Sequence, residues 1–196
     1  SYQLKNLQEV GFKDLWGDHG IFTTMWIFGK PPKILFFEKH IKNLIRSLQI
    51  YGIKKKSLHK GVLKVISKNL SRKISYNHLL RVAVNKKIIS ISLRKKIKPK
   101  IKFNLKLIKY KRTKPQFKNL KYRQILKYLS KMDNSISDIG LCHNKKIYES
   151  GTSNILFIKK GKIFSPSRDI YKGITYKFFE TKLKRILKKD ILIKSL

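Results

Sequence analysis

A chain of 196 residues that is 41% hydrophobic and 11% aromatic is globular in composition and long enough for a core, in one large domain or two small ones. No apolar run approaches the roughly 18 residues that span a bilayer, and residues 1–9 lack a signal-peptide pattern. The single cysteine, Cys142, excludes an internal disulfide and fits a reducing cytoplasm. The formal charge of +38, from 48 Lys and Arg against 10 Asp and Glu, ordinarily suggests a polyanion partner. Only eight of those bases are arginine, whose planar fork reads bases and phosphates. The lysines are scattered along the chain, with short clusters at 54–56 and 95–100, among abundant Ile, Asn, Phe and Tyr. That is the signature of A- and T-rich codons filling tolerant surface positions. Nucleic-acid contact is therefore expected to be nonspecific if it occurs at all.

Along the chain, residues 20–37 hold two apolar runs, GIFTTMWIF and KILFF, around Gly29-Lys30-Pro31-Pro32, which predicts a hairpin. Helical spacing follows at 40–51 (Ile41, Leu44, Ile45, Leu48) and at 58–70 (Val62, Leu63, Val65, Ile66). Strands are predicted at 78–84 and 88–93 around a turn at Asn85-Lys86-Lys87. Residues 94–100 are polar, contain a proline and lack periodicity, and so predict a linker. Beyond it come a strand at 102–110, a helix at 122–132, and short strands at 139–142, 146–148, 154–158 and 162–164. A helix at 175–187 and a strand from 191 end the chain. No repeat is visible. The order predicts two α/β (α+β) units, divided as residues 1–95 and 96–196.

Three segments carry candidate chemistry. The first is Pro115-Gln116-Phe117-Lys118-Asn119-Leu120-Lys121-Tyr122-Arg123, in which Lys118 lies between a strand and a helix and can point into a cleft. The second is Tyr148-Glu149-Ser150-Gly151-Thr152-Ser153-Asn154-Ile155, a glutamate at a strand end followed by small residues. The third is Ser165-Pro166 with Gly173-Ile174-Thr175, a helix start whose N–H groups and dipole attract phosphate. Read singly, Lys118 is one of forty lysines, Tyr122 a core aromatic and Thr175 a helix cap.

In this order the segments resemble those of class IV aminotransferases and aminodeoxychorismate lyases, the fold type IV pyridoxal-phosphate enzymes. An upstream stretch, Gly17-Asp18-His19-Gly20-Ile21-Phe22-Thr23-Thr24 with His40, Asn43 and Leu44, is similar to the family's Gly-Asp-Gly-x-Phe and His-x-x-Arg-Leu. The resemblance runs from about residue 17 to 187. It implies a two-domain fold with the cofactor between the domains, a homodimer, pyridoxal 5'-phosphate as cofactor, and a small amino or amino-carboxylate substrate. It implies Lys118 as the catalytic lysine. Glu149, Tyr122, Asn154, Gly173, Ile174 and Thr175 become cofactor-binding residues, with Thr152, Ser153 and Thr23 on the substrate side and no metal. The chemistry agrees: a lysine that must be neutral to attack needs partial desolvation, and a carboxylate beside a protonated ring nitrogen strengthens an electron sink.

The chain departs from the pattern at Asn43, where relatives carry a phosphate-gripping arginine that Lys42 or Arg46 is expected to replace. It departs also at Lys121, at Tyr176 and at the additional His19. Relatives run on past residue 196, so a fragment of a longer gene or an eroded protein, with an incomplete second domain, is expected. Phe22-Thr23-Thr24 and the run from Arg112 to Lys118 favour a 4-amino-4-deoxychorismate lyase, forming 4-aminobenzoate and pyruvate. The alternatives are an amino-acid aminotransferase of branched-chain or D-amino-acid type, and a non-catalytic basic protein on a decayed enzyme scaffold.

Overall fold

A computed structural model describes residues 1–53, 57–183 and 186–193. The lysine cluster at 54–56 lies outside the described residues. The chain forms two compact units, Ser1–Lys96 with Lys118–Lys121, and Ile97–Phe117 with Tyr122–Leu196.

The first unit contains β1 (Tyr2–Gln3), β2 (Gly20–Gly29), β3 (Lys33–Ile34), α1 (Phe37–Ile50), α2 (Leu58–Asn69), β4 (Tyr76–Asn85) and β5 (Ile88–Lys95). Its sheet has the order β1-β5-β4-β2-β3, antiparallel throughout. Alternation sets its faces. Ile21, Thr23, Met25 and Ile27 of β2 are all buried, and Ile21, Thr23 and Met25 pair with Val84, Val82 and Leu80 of β4. Helix α1 packs on β2 and α2 on α1. They contribute Ile41, Leu44 and Leu48, and Val62, Val65 and Ile66, as the helical spacing predicts, and Leu58 besides, whereas Ile45 is half-buried and Leu63 is exposed. Each such side chain contributes about 1.5–3 kcal/mol on burial.

The predicted hairpin is present, but its return strand is only Lys33–Ile34. Phe36 adopts a left-handed conformation (φ 52°) that turns the chain into α1 three residues before the predicted start. Arg94 and Lys95, predicted as linker, instead complete β5 opposite Leu79 and His78.

The second unit contains β6 (Asn104–Lys109), α3 (Arg123–Leu129), β7 (Ser137–His143), β8 (Lys146–Ser150), β9 (Phe157–Lys159), β10 (Lys162–Ser165), α4 (Ile174–Leu183), β11 (Ile186–Lys188) and β12 (Ile191–Leu192). One sheet has the order β12-β8-β7-β6 and another β11-β10-β9. Strands β6 and β7 are parallel, so the chain between them must travel far before it returns. Ile108, Ile125, Leu129, Ile139 and Leu141 form the core beneath α3.

Two expectations change here. Asn154–Leu156 are not strand, and β9 begins at Phe157. The predicted last helix stops at Leu183, and Ile186–Lys188 pair with β10 in parallel. Residues 183, 186 and 187 keep helical spacing, but the open edge of β10 offers the backbone a ladder. No helix among the described residues is long and apolar enough to cross a membrane.

Residues 118–121, between β6 and β7, join the first unit through backbone hydrogen bonds. Phe22 N–H donates to the Lys118 carbonyl at 2.9 Å, Leu120 N–H to the Gly20 carbonyl at 2.9 Å, and Gly17 N–H to the Leu120 carbonyl at 2.8 Å. This closeness requires Gly20. A Cβ there would lie 2.3 Å from the Val84 carbonyl oxygen and 2.6 Å from Leu120 Cδ1. Gly20→Ala is therefore expected to destabilise the protein by about 1–3 kcal/mol, the usual range for overpacking. Urea titration of the two proteins checks it; equal midpoints would mean that the strand relaxes without cost.

Candidate active site

Lys118 is half-buried and is held by its backbone, while Asn119 and Leu120 beside it are almost fully buried at 1% and 0% exposure. An isolated bridge pairs Asn119 with Ile21, and the Asn119 side chain accepts from Lys121 N–H at 3.1 Å. The Lys118 ammonium lies 5.2 Å from the centre of the Phe22 ring, within cation–π range. On the same sheet, Thr23 Oγ1 is hydrogen-bonded to His40 Nδ1 at 2.8 Å. Burial pushes the His40 imidazole down to about 4, and the Lys118 charge acts in the same direction. At pH 7 this ring is neutral, so no second cation is added near Lys118. Asn43, one turn further along α1, is half-buried; Lys42 and Arg46 are exposed.

In the second unit, Glu149, next to last in β8, is a buried carboxylate at 6% exposure. Arg112, a residue that sequence reasoning did not single out, is buried with it. Its Nε donates to Glu149 Oε1 at 2.7 Å. Its Nη1 and Nη2 donate to the carbonyls of Phe117 and Pro115 at 3.0 and 2.7 Å. Tyr171 N–H makes a long contact of 3.4 Å with Glu149 Oε2.

Tyr122 packs by Arg112, with the guanidinium carbon 5.8 Å from its ring centre, and its hydroxyl donates to the Gly151 carbonyl at 2.7 Å. A phenol has one proton to give, so Tyr122 can offer any further partner only a lone pair. Burial raises its pKa above the ordinary value and Arg112 opposes that rise, so it stays a phenol at neutral pH.

The loop after β8 is tightly built. Ser150 Oγ accepts from Ser153 N–H at 2.8 Å, and Thr152 Oγ1 donates to the buried Asp138 at 2.6 Å. Gly151 admits no side chain, because a Cβ would meet Ile139 Cγ1 at 2.6 Å. Thr152 and Ser153 are exposed. The Asn154 amide spans to the next loop, donating to the Tyr171 carbonyl at 2.5 Å and accepting from Gly173 N–H at 3.0 Å. The amide fixes the entry to α4, where Gly173 is half-buried, Ile174 buried and Thr175 exposed. Lys118, Thr23 and His40 thus belong to one unit. Glu149, Tyr122, Thr152, Ser153, Asn154 and Gly173–Thr175 belong to the other, with Arg112 and Asp138 added by the structure.

The family model for amino-transferase class IV matches residues 20–196. The chain belongs to this family, whose members depend on pyridoxal phosphate. No curated protein matches the sequence. Among solved structures, one provisionally named 4-amino-4-deoxychorismate lyase superposes with a TM-score of 0.74 at 17% identity, covering 98% of this chain and 85% of that one. A branched-chain aminotransferase from Thermoproteus uzoniensis, solved with norvaline, gives 0.71 at 15% identity over 90% and 70%. A hypothetical aminotransferase from Mycobacterium tuberculosis gives 0.72 at 14% identity over 100% and 82%. At these identities the likeness is one of fold.

The depressed His40 generates a pH prediction. Its folded pKa of about 4 lies below the unfolded value of about 6.5, so the unfolded chain takes up the proton first. Stability from this group is complete above about pH 6.5 and is lost as pH falls towards 4. Discounted for partial exposure, between pH 7 and 5 the parent should lose about 1 kcal/mol more than His40→Gln does. Urea unfolding of both proteins at both pH values measures the difference; parallel losses would show that His40 titrates as it does in water.

Proposed function

We propose that this chain is a pyridoxal-phosphate enzyme acting on a small amino-carboxylate, and that its reaction is 4-amino-4-deoxychorismate lyase chemistry giving 4-aminobenzoate and pyruvate. The observation that carries the cofactor assignment is Glu149. A carboxylate buried with a guanidinium at 2.7 Å stays ionised, and an ionised carboxylate is what a protonated ring nitrogen requires. The other groups fit as well. Lys118 is half-buried on a pinned backbone, and the N–H groups that open α4 beside Thr175 suit a phosphate.

When bound, the cofactor supplies an electron sink for a bond broken at the substrate's amine-bearing carbon. The chain's residues do the rest. Lys118 would hold the cofactor through its Nζ and would carry a proton at that atom, as general base and acid. Glu149 keeps the ring nitrogen protonated. The backbone N–H groups of Ile174 and Thr175 and the Thr175 hydroxyl would hold the phosphate, with Gly173, whose own N–H goes to Asn154, forming the turn before them. Asn154 shapes that entry and Tyr122 braces the Gly151 carbonyl. Ser153 would offer its hydroxyl to the substrate carboxylate, Thr23 would do so when His40 Nδ1 carries the proton of their shared bond, and Thr152, whose proton goes to Asp138, would line that side without donating. A homodimer and a cytoplasmic setting go with this reading.

Preference for the lyase rests on Phe22-Thr23-Thr24 and on the run from Arg112 to Lys118. The second reading, an amino-acid aminotransferase, is supported by the equally good superposition on the norvaline-bound enzyme. Assays with aminodeoxychorismate and with amino-acid/oxoacid pairs separate them: pyruvate with 4-aminobenzoate supports the lyase, and amino exchange alone sinks it. Lys118→Ala should remove the visible absorbance of bound cofactor and all turnover. Borohydride labelling of a different lysine would show the site assignment to be wrong.

Asn43 gives a prediction of opposite direction. Charge-assisted bonds to phosphate are about twice as strong as neutral ones. Asn43→Arg should therefore tighten pyridoxal-phosphate binding by about 10- to 100-fold, or on the order of 1–3 kcal/mol. Apoprotein titrated with the cofactor measures this, beside Lys42→Ala and Arg46→Ala. Tight binding in the parent that survives both alanine changes would sink the idea that a phosphate cation is missing or replaced.

A further inference from the structure

Among the described residues Arg112 is the only base that is buried, in a chain with 48 of them, and Glu149 is one of two buried acids. A buried ion pair costs more in desolvation than it returns unless its geometry is good and its remaining donors are satisfied. Arg112 meets both conditions. Each of its three nitrogens has a bond of 3.0 Å or less, one to the carboxylate and two to the turn at Pro115 and Phe117. The next residue in the chain is Lys118.

We propose that Arg112 is the positioning residue of this site: it keeps Glu149 a carboxylate, so that the proton shared with the cofactor's ring nitrogen rests on the ring, and it sets the backbone from which Lys118 departs. This rests on the role proposed above for Glu149. A carboxyl buried alone takes up a proton, whereas a cation within hydrogen-bond distance holds it ionised. Beside the pair, Tyr122 feels the charges of Arg112, Glu149 and Asp138 and the neighbouring Tyr110. Tyr122 stays protonated, and Asp138 accepts from Ile139 N–H at 2.7 Å and from the Thr152 hydroxyl. Neither replaces the Arg112 charge. Lys111 pairs with Asp169 at 2.6 Å. A lysine at 112 would keep a charge but could not satisfy a carboxylate and two carbonyls in fixed directions. Charge and geometry can therefore be separated.

The test uses the full chain without cofactor and then with it. In Arg112→Met the buried Glu149, without the guanidinium, has a raised folded pKa, so stability is lost as pH rises through that value. Its melting temperature should fall below the parent's by several degrees more at pH 8 than at pH 5.5. Adding Glu149→Gln should abolish that pH dependence, and Arg112→Lys should largely restore the parent's. If Arg112→Met does not accumulate, Arg112→Gln, which keeps donors without charge, takes its place.

With pyridoxal 5'-phosphate added, the pH midpoint of the bound absorbance should move by about one unit or more in Arg112→Met and stay in place in Arg112→Lys. Arg112→Lys should still bind the cofactor about 10-fold more weakly, through the lost hold on Pro115 and Phe117. Melting curves of Arg112→Met and of the double variant that run parallel across pH would overturn the charge assignment. Coincident midpoints in all the proteins would overturn the ring-proton assignment. A parent that binds no pyridoxal phosphate would sink the proposed function instead, while the melting curves would still decide whether Arg112 holds the Glu149 charge.

Discussion

One guanidinium, buried at 5% exposure, joins the turn at Pro115–Phe117 to the Glu149 carboxylate of β8. Much of the second unit is arranged around that contact. The parallel pairing of β6 and β7 forces a long excursion, and the Arg112 donors organise the turn within it. Tyr122 lies against the guanidinium and braces the Gly151 carbonyl, while Asp138 holds Thr152. Without the cation, Glu149 would be an acid in a dry site and would protonate.

Charge distribution makes the pair more informative than its distance alone. With 48 bases and ten acids, an acid at the surface readily meets a base. Lys68 meets Glu9, Lys111 meets Asp169 and Lys146 meets Asp190, on side chains about a third or more exposed. Such pairs contribute roughly 0–1 kcal/mol each and are screened by salt. Arg112 and Glu149 differ because both are removed from water, so separating them would strand a charge at a cost of several kcal/mol. The chain's large positive charge is thus mostly a surface property, and its specificity lies in the few charges that are inside.

Periodicity made the first unit legible. The faces of β2, α1 and α2 were fixed by the positions of Ile, Leu and Val, and the paired strands by the Asn85-Lys86-Lys87 turn. Glu149, Asn154 and Gly173 were legible as a motif, but not the wiring among them. The run at 154–158 reads as a strand, yet only its end, from Phe157, pairs in β9, while the Asn154 amide is bound to Tyr171 and Gly173. Helical spacing through Leu183, Ile186 and Leu187 was overridden by parallel pairing with β10. Arg112 had a weaker signal that could have been read: arginine is rare in this chain, and this one stands six residues before Lys118. Its burial follows from tertiary packing, which no local pattern encodes.

The least legible feature is the one that places the lysine. Residues 118–120 bind the first unit almost wholly through backbone groups, which donate and accept in the same way whatever side chains they carry. What the sequence retains of this arrangement is a requirement for absence. Gly20 must lack a Cβ so that Leu120 can lie against it and its carbonyl can receive the Leu120 N–H. Asn119, nearly fully buried, then has its side chain bound to Lys121 N–H, which keeps the segment from opening after the lysine. A lysine on a flexible loop would have to be ordered anew for each encounter, at about 1–2 kcal/mol per residue fixed. Here folding has already ordered the backbone, and only the four-carbon side chain of Lys118 remains to be placed.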